Sequence, residues 1–233
     1  MSCCARRRIV RLDSVRYCVV AFLASTLLCG RCSADGLTIQ FVSDATWSAY
    51  SVNPDGSRGA LLGPSQCICN PPGGCPCCWT GNVTPIPGAC WLWRPGTTPS
   101  TVPVDLERMI ATLTLDVPGL PSTGTFYLAA DDFAELRVNG YSVGSIGSVS
   151  DYGSAASAQA GLTRFDIQPF LVPGRNEIEI HVQNGPGWFT GTSCNPCTFG
   201  QNPTGVLAGG AIDYSPATPL ARRSWGQLKT IYR

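Results

Sequence analysis

A two-residue turn between alternating strands constrains this chain more than any other feature. Residues 135–143 read ELRVNGYSV, in which Asn139 and Gly140 separate two short runs of strand-forming residues. The Asn-Gly pair supplies the two positive-φ positions of a type I′ turn, whose twist matches that of antiparallel strands. The sequence therefore predicts a β-hairpin here and antiparallel pairing around it.

A second segment predicts a strand with one buried face. Residues 165–184 read FDIQPFLVPGRNEIEIHVQN. The Pro-Gly-Arg-Asn sequence at 173–176 predicts a turn, and residues 177–183 then alternate strictly between polar and apolar side chains, which is typical of a half-buried strand. His181, the one histidine of the chain, falls on the polar side, so we expect it on the exposed or ligand-facing surface.

Similar strand-like patterns recur along the chain. They occupy residues 37–42, 47–52, 110–117, 126–130 and 207–214. The 26 glycines and 19 prolines lie between apolar runs, as in folds made of many short strands and tight turns. The sequence therefore predicts an all-β fold, an antiparallel β-sandwich whose two sheets pack face to face.

The first 34 residues have the features of an export signal. A basic stretch precedes an apolar run at 18–28, and the small residues of Cys32-Ser33-Ala34 suit cleavage after Ala34. The apolar run is shorter than the roughly 18 to 20 residues that span a bilayer. We therefore expect a cleaved signal peptide at 1–34, and a mature protein that is secreted to the extracellular space or the cell surface without a transmembrane span.

Charge divides the mature chain into a body and a tail. The signal holds six of the 16 basic residues and one of the 15 acids, which leaves 10 against 14, a net charge of −4 that argues against nucleic acid as a partner. We expect the sandwich to cover 35–215. The basic tail at 216–233 has no acid, and we hypothesise that it docks on the body, on a neighbouring copy or on the cell surface.

Cysteine usage agrees with export. Five of the 13 cysteines lie in the signal, and an even number remains: Cys67, Cys69, Cys75, Cys77, Cys78, Cys90, Cys194 and Cys197. Their C-x-C and C-x-x-C spacings also occur in zinc sites, but an oxidising compartment favours disulfides. Such disulfides would staple a Cys-rich insertion at 64–95, expected to contain no strand, to the long loop at 185–205 in one rigid rim.

Two stretches together resemble a known family. FYLAADDFAELRVNGYSVG at 126–144 and the segment at 165–184 are similar in order and spacing to galactose-binding-like jelly-roll modules. Such modules occur beside the catalytic domains of bacterial glycosidases and in many secreted bacterial proteins. The resemblance covers roughly 110–184 and implies a β-sandwich that often binds sugar, although the fold hosts many roles. The Cys-rich insertion falls outside the family's usual pattern.

Aromatic residues on the predicted rim are candidates for stacking on a sugar ring. We assign this role to Trp79, Trp188 and Phe189, with His181 as a polar ligand residue, because they lie in Gly- and Pro-flanked loops or on the outer strand face. Trp91 and Trp93 are two residues apart, and we expect them to share a strand face in the core.

Asn82 begins a glycosylation sequon, Asn-Val-Thr.

The adjacent acids Asp131 and Asp132 allow more than one interpretation. We expect strand-end residues, one capping a turn and one facing solvent. Structural calcium is an alternative, although Ca²⁺ takes six or more oxygen ligands. Acid-base catalysis is less favoured, because the chain has a single histidine and no nucleophile motif such as G-x-S-x-G. The sequence therefore predicts a protein without enzymatic activity and without a cofactor other than this calcium.

Two hypotheses of function follow. The first is a carbohydrate-binding or adhesive module at the cell surface. The second is a structural subunit of an extracellular filament or coat, in which the partners are other copies of the chain. Assembly would use strand and tail contacts, because the strand predicted at 37–42 can pair either with its own sheet or with the open edge of a neighbour.

Overall fold

A computed structural model of the chain describes residues 36–71, 75–76, 79–98, 104–190 and 201–216. The signal at 1–34 and the tail beyond residue 216 lie outside the described residues. The same holds for the side chain of Trp188 and for four cysteines: Cys77, Cys78, Cys194 and Cys197.

Twelve β-strands dominate the described part of the chain. They are β1 Leu37–Val42, β2 Ser48–Val52, β3 Arg58–Pro64, β4 Gln66–Cys69, β5 Trp91–Trp93, β6 Arg108–Val117, β7 Gly119–Asp131, β8 Phe133–Val138, β9 Tyr141–Gly147, β10 Thr163–Asp166, β11 Gly174–Gln183 and β12 Gly205–Pro216. One α-helix, α1, spans Tyr152–Ala160, and 3₁₀ turns cover Gln168–Phe170 and Gly187–Thr190. No helix in these ranges is long and apolar enough to cross a membrane.

The strands form two antiparallel sheets, which confirms the predicted sandwich. The first sheet has the order β10-β7-β12-β5-β4, and β1 also pairs with β12. The second has the order β3-β2-β6-β11-β8-β9. Strand β1 runs from Leu37 opposite Tyr214 to Val42 opposite Gly209. Of the two pairings considered for this segment, the chain therefore adopts the one within its own sheet.

The hydrophobic core lies between the sheets and is built by alternation. Every second residue of each central strand is buried, including Leu136 and Val138 of β8, Ile178 and Ile180 of β11, and Phe126 and Leu128 of β7. Trp91 and Trp93 are 0% and 1% exposed, which confirms their prediction as core residues.

The Asn-Gly hairpin is confirmed between β8 and β9. Asn139 and Gly140 have φ values of 52° and 82°, and Val138 pairs with Tyr141 across the turn. The Asn139 side chain also holds the hairpin against β11, because its Nδ2 donates to Asn176 Oδ1 at 2.9 Å and its Oδ1 accepts from the Glu177 backbone N–H at 2.9 Å.

The turn predicted at 173–176 is wrong in its position. Strand β11 already begins at Gly174, which pairs with Val117, and Asn176 is fully buried within it. The Asn176 side chain replaces the expected turn contacts: its Nδ2 donates to the carbonyls of Val172 and Gly174 at 2.7 and 2.8 Å, and its Oδ1 accepts from Val172 N–H at 2.9 Å. Through these bonds, a side chain of the strand supplies hydrogen-bond partners to the backbone of the bend that precedes the strand.

The Cys-rich insertion contains strands, contrary to the sequence prediction. Strand β4 pairs with β5, and Leu92 of β5 pairs with Val206 of β12, so the insertion extends the first sheet. The apolar Trp-Leu-Trp run explains this, since all three side chains are buried. Disulfides join Cys67 to Cys90 and Cys69 to Cys75, with Cα–Cα distances of 5.7 and 5.3 Å. Disulfide formation is thus confirmed for these four cysteines.

Candidate functional site at one end of the sandwich

Three polar and aromatic side chains form a row on the outer face of the second sheet. Gln183, at the end of β11, lies opposite Arg108 of β6 on one side and opposite Phe133 of β8 on the other. The inward neighbours Ala134 and Val182 are buried. Because successive strand residues point to opposite faces, the row points away from the core.

The row borders a pocket with a volume of about 180 Å³. Val52 and Gly56 also line the pocket, the next outward row of the sheet contributes Glu135 and His181, and the row after it contributes Arg137. Phe133 and Gln183 are half-buried and Arg108 is exposed. The pocket therefore places an aromatic ring beside planar hydrogen-bonding groups.

Paired charges form the floor beside this row. The Arg137 guanidinium donates to Glu135 through Nε at 3.1 Å and through Nη2 at 2.9 Å. Burial raises the pKa of Glu135, but the hydrogen bonds from Arg137 and Ser142 lower it by more, so this carboxylate is ionised. Arg58 approaches Glu177 at 2.9 Å and Glu179 at 3.3 Å on the same face.

His181 lies on the outer face, as its place in the alternation predicts, and it lines the pocket. Its side chain is only 16% exposed, and Nε2 lies 3.6 Å from Glu179 Oε2, without a hydrogen-bond partner among the described residues. Burial, followed by the nearby charge of Arg137, lowers the pKa of His181 below its usual range. We therefore treat the imidazole as neutral near pH 7.

The pair Asp131 and Asp132 is buried, so the prediction that one of them faces solvent is wrong. The two residues are 4% and 6% exposed. Asp131 Oδ2 accepts from Trp79 Nε1 at 2.7 Å, and Asp132 Oδ2 accepts from the Gly185 backbone N–H at 2.5 Å. The end of β7 is covered by the insertion on one side and by the chain that follows β11 on the other, which explains the burial.

Burial also sets the protonation of this pair. It raises the pKa of Asp131 well above the usual range, with further contributions from the charge of Asp132 and the hydrogen bond to it. Burial likewise raises the pKa of Asp132. Two buried carboxyl groups in contact share a proton, because the low dielectric disfavours two adjacent negative charges.

The contacts of this pair differ from those of a calcium site. Two of the four carboxylate oxygens accept from N–H donors, and within the described ranges no group of three or more His, Cys, Asp or Glu side chains could hold a metal. Structural calcium at this pair stays a prediction.

The predicted rim aromatics Trp79 and Phe189 are buried instead of displayed. Each is 7% exposed; Trp79 stacks on Trp91 with ring centroids 4.1 Å apart, and Phe189 meets Tyr152 edge-on at 6.0 Å. Gly205 leaves space for Trp79, since a Cβ at that position would lie 2.8 Å from its ring. The assignment of these two residues as exposed ligand contacts is thus wrong.

The pocket residues Arg108, Phe133 and Gln183 were not predicted. The sequence places them at strand ends, but only the pairing register across β6, β11 and β8 shows that they are neighbours. The one signal in the sequence is that Phe133, an apolar residue, occupies the side of β8 that otherwise carries the polar Glu135 and Arg137.

Asn82 is exposed, and its Oδ1 accepts from Thr84 N–H at 3.2 Å. Glycosylation there stays a prediction.

The chain is thus an antiparallel β-sandwich domain, in agreement with the galactose-binding-like resemblance. No family model matches the sequence, and no curated protein matches it. Among solved structures, an FMN-binding β-glucuronidase from Facaelibacterium prausnitzii L2-6 is 17% identical with a TM-score of 0.39, over 77% of this chain and 23% of that one. A Streptomyces avermitilis α-L-rhamnosidase complexed with L-rhamnose is 15% identical with a TM-score of 0.39, over 78% and 15%.

A GH2 β-galacturonidase from Eisenbergiella tayi, bound to glycerol, is 13% identical with a TM-score of 0.39, over 75% of this chain and 24% of that one. The chain spans less than a quarter of the length of each of these three proteins. At such identities and TM-scores, the likeness carries no argument about function.

Proposed function

We propose that this protein is a secreted carbohydrate-binding module without enzymatic activity, and that the pocket beside Phe133 is its glycan site. The row of Phe133, Gln183 and Arg108 along one pocket supports this proposal. An aromatic ring can pack against the C–H face of a sugar, and planar amide and guanidinium groups can hydrogen-bond its hydroxyls. The site thus combines the two kinds of contact that sugar recognition needs.

The size of the pocket fits a single sugar ring. Its volume of about 180 Å³ lies below the roughly 300 to 1,000 Å³ of pockets that enclose drug-sized ligands. The pocket lies on an outer sheet face, so a longer glycan could place one sugar ring in the pocket and extend its other rings over the protein surface.

The arrangement of the carboxyl groups supports binding without hydrolysis. Most glycosidases flank the scissile bond with two carboxyl groups about 5 to 9.5 Å apart. Glu135, at the pocket, is held in an ion pair by Arg137. Asp131 and Asp132 are buried and hydrogen-bond Trp79 and Gly185.

The disulfides support the extracellular part of the proposal. Cys67–Cys90 and Cys69–Cys75 both lie in the insertion, and disulfides persist mainly in oxidising compartments. Together with the signal predicted at 1–34, they support a location outside the cell or on its surface.

The variant Phe133→Ala tests the glycan site. We expect it to abolish or strongly weaken binding on a glycan array and in titration calorimetry, because the stacking platform is removed, while the circular dichroism spectrum is unchanged. Tyr141→Ala removes a ring that is 66% exposed at the distant hairpin, and it should bind as the parent protein does. Full binding by Phe133→Ala, or binding by neither protein to any glycan, contradicts the proposal.

An assembly role is the second candidate, and strand β3 favours it. This strand forms one edge of the second sheet, and it exposes Leu61 by 61% and Leu62 by 39%. Its sequence, RGALLGP, has no charged residue after Arg58. An apolar edge strand with free backbone groups can pair with another chain, so the partner would be a second copy of this protein.

A further inference from the structure

Arg108 forms no ion pair with any of the described residues. Its Nη2 donates to the backbone carbonyl of Asn53 at 3.4 Å. Arg108 is exposed and lines the pocket.

The acids of the sheet beside the pocket already have cationic neighbours. Glu135 is bound by Arg137 at 2.9 Å, and Glu179 lies 3.3 Å from Arg58. His181, whose pKa is lowered by burial and by Arg137, adds no charge near pH 7. Of the groups that face the pocket, Arg108 therefore carries the unbalanced charge.

The pocket is positive in a domain that is otherwise acidic. Its lining holds two arginines and one glutamate, a net charge of +1. Residues 35–215 as a whole hold six arginines, no lysine and 14 acids, a net charge of −8. Within the lining, Arg108 is the charge without a counter-charge, and a guanidinium can bind an anionic group by direct contact.

We propose that the pocket binds a sugar ring that bears an anionic substituent, a carboxylate or a sulfate, and that Arg108 binds this group. The inference rests on the glycan-binding function proposed above and names the class of sugar. A guanidinium offers two parallel N–H donors to a carboxylate or sulfate. Gln183 lies beside Arg108 in the register and can donate through its amide, while Phe133 packs against the ring.

Matched pairs of sugars test this inference by titration calorimetry. The probes are a panel of uronic acid oligosaccharides, the carboxyl-reduced neutral counterpart of each, and sulfated galactose oligosaccharides beside their unsulfated forms. We expect at least one anionic sugar to bind about tenfold or more tightly than its neutral counterpart, a difference of about 1.4 kcal/mol. The preference should shrink as salt is added, because the contact is electrostatic and partly exposed.

The variant Arg108→Gln tests whether Arg108 causes the preference for anionic over neutral sugars. It keeps a hydrogen-bond donor but loses the charge, so anionic and neutral sugars should bind it within about twofold of each other. Arg164→Gln is the matched control, since Arg164 lies on β10 of the other sheet and donates to Thr125 Oγ1. This control should keep the full preference.

The outcomes separate this inference from the proposed function. If neutral sugars bind as tightly as anionic ones and Arg108→Gln changes nothing, the anionic class is overturned while glycan binding stands. If no sugar of either kind binds, both proposals fail. Preference for the uronic acids or for the sulfated sugars supports the inference and identifies which anion the pocket takes.

Discussion

Two adjacent carboxyl groups, those of Asp131 and Asp132, are buried at the end of β7. Burial raises the pKa of both, so the folded protein retains a proton that the unfolded chain releases as the pH rises above about 4. The folded state then binds more protons than the unfolded state, and linkage makes the protein less stable as the pH increases. This contribution is fully present below the unfolded pKa and is lost as the pH rises through the folded pKa.

The variant Asp131→Asn should weaken this pH dependence. An asparagine Oδ1 can accept from Trp79 Nε1, and its Nδ2 can donate to Asp132, so the variant resembles the protonated pair. We expect little change in unfolding free energy near about pH 4 and a gain over the parent that grows toward about pH 8. Chemical denaturation at both pH values measures the difference.

A carboxylate with the opposite shift provides the control. The pKa of Asp151 is lowered by its hydrogen bonds to Ser154 and Gly153 at the start of α1. Asp151→Asn should therefore lower stability above about pH 4, where the ionised cap contributes. If Asp131→Asn is instead less stable than the parent at about pH 8, the two aspartates do not share a proton.

At the scale of elements, the hairpin between β8 and β9 depends on buried amides. The variant Asn176→Ala removes a fully buried side chain. It leaves the carbonyls of Val172 and Gly174, the N–H of Val172 and the Nδ2 of Asn139 without their partner. We expect a loss of about 2 kcal/mol or more in unfolding free energy, because four hydrogen bonds are lost and each contributes about 0.5 to 1.5 kcal/mol. Urea denaturation measures it.

Asn53→Ala is the matched control for this prediction. Asn53 makes its side-chain hydrogen bonds in the exposed turn between β2 and β3, and surface substitutions of this kind usually change stability by less than about 0.5 kcal/mol. Equal losses in the two variants would show that the amide network does not stabilise the hairpin.

The strands were largely predictable because their signals are local. Asn139-Gly140 fixes a turn type, and the alternation from Ile178 to Val182 fixes which side faces the core. Burial of the loops was not predictable in the same way. Trp79 and Asp131 are far apart in sequence, and each is buried by the other and by strands that follow much later, so long-range packing decides their environment.

The pocket was missed for a related reason. Phe133, Gln183 and Arg108 become neighbours only through the register of three strands. A slip of one residue in either pairing would send part of the row to the core face. His181 was placed on the correct face by alternation alone, whereas its partial burial depends on the neighbouring long side chains.

At the scale of the whole molecule, the edge strand β3 decides between a single module and an assembly. If copies associate through this edge, Leu61→Lys should abolish ordered filaments in electron micrographs and lower the mass seen by sedimentation, because a charge on an edge strand opposes pairing. Leu120→Lys is the control, since Leu120 is 66% exposed on a different strand. A parent protein that is monomeric at high concentration contradicts the assembly role.

The central claim is that sugar binds on the outer face of the second sheet, in the pocket beside Phe133. Nuclear magnetic resonance of the isotopically labelled protein, titrated with a glycan that the array identifies, tests this claim most directly. We predict that the amide signals of Arg108, Phe133 and Gln183 shift first and saturate together. Shifts confined to the first sheet, around β1, β10 and β12, with these three signals unmoved, would contradict the claim.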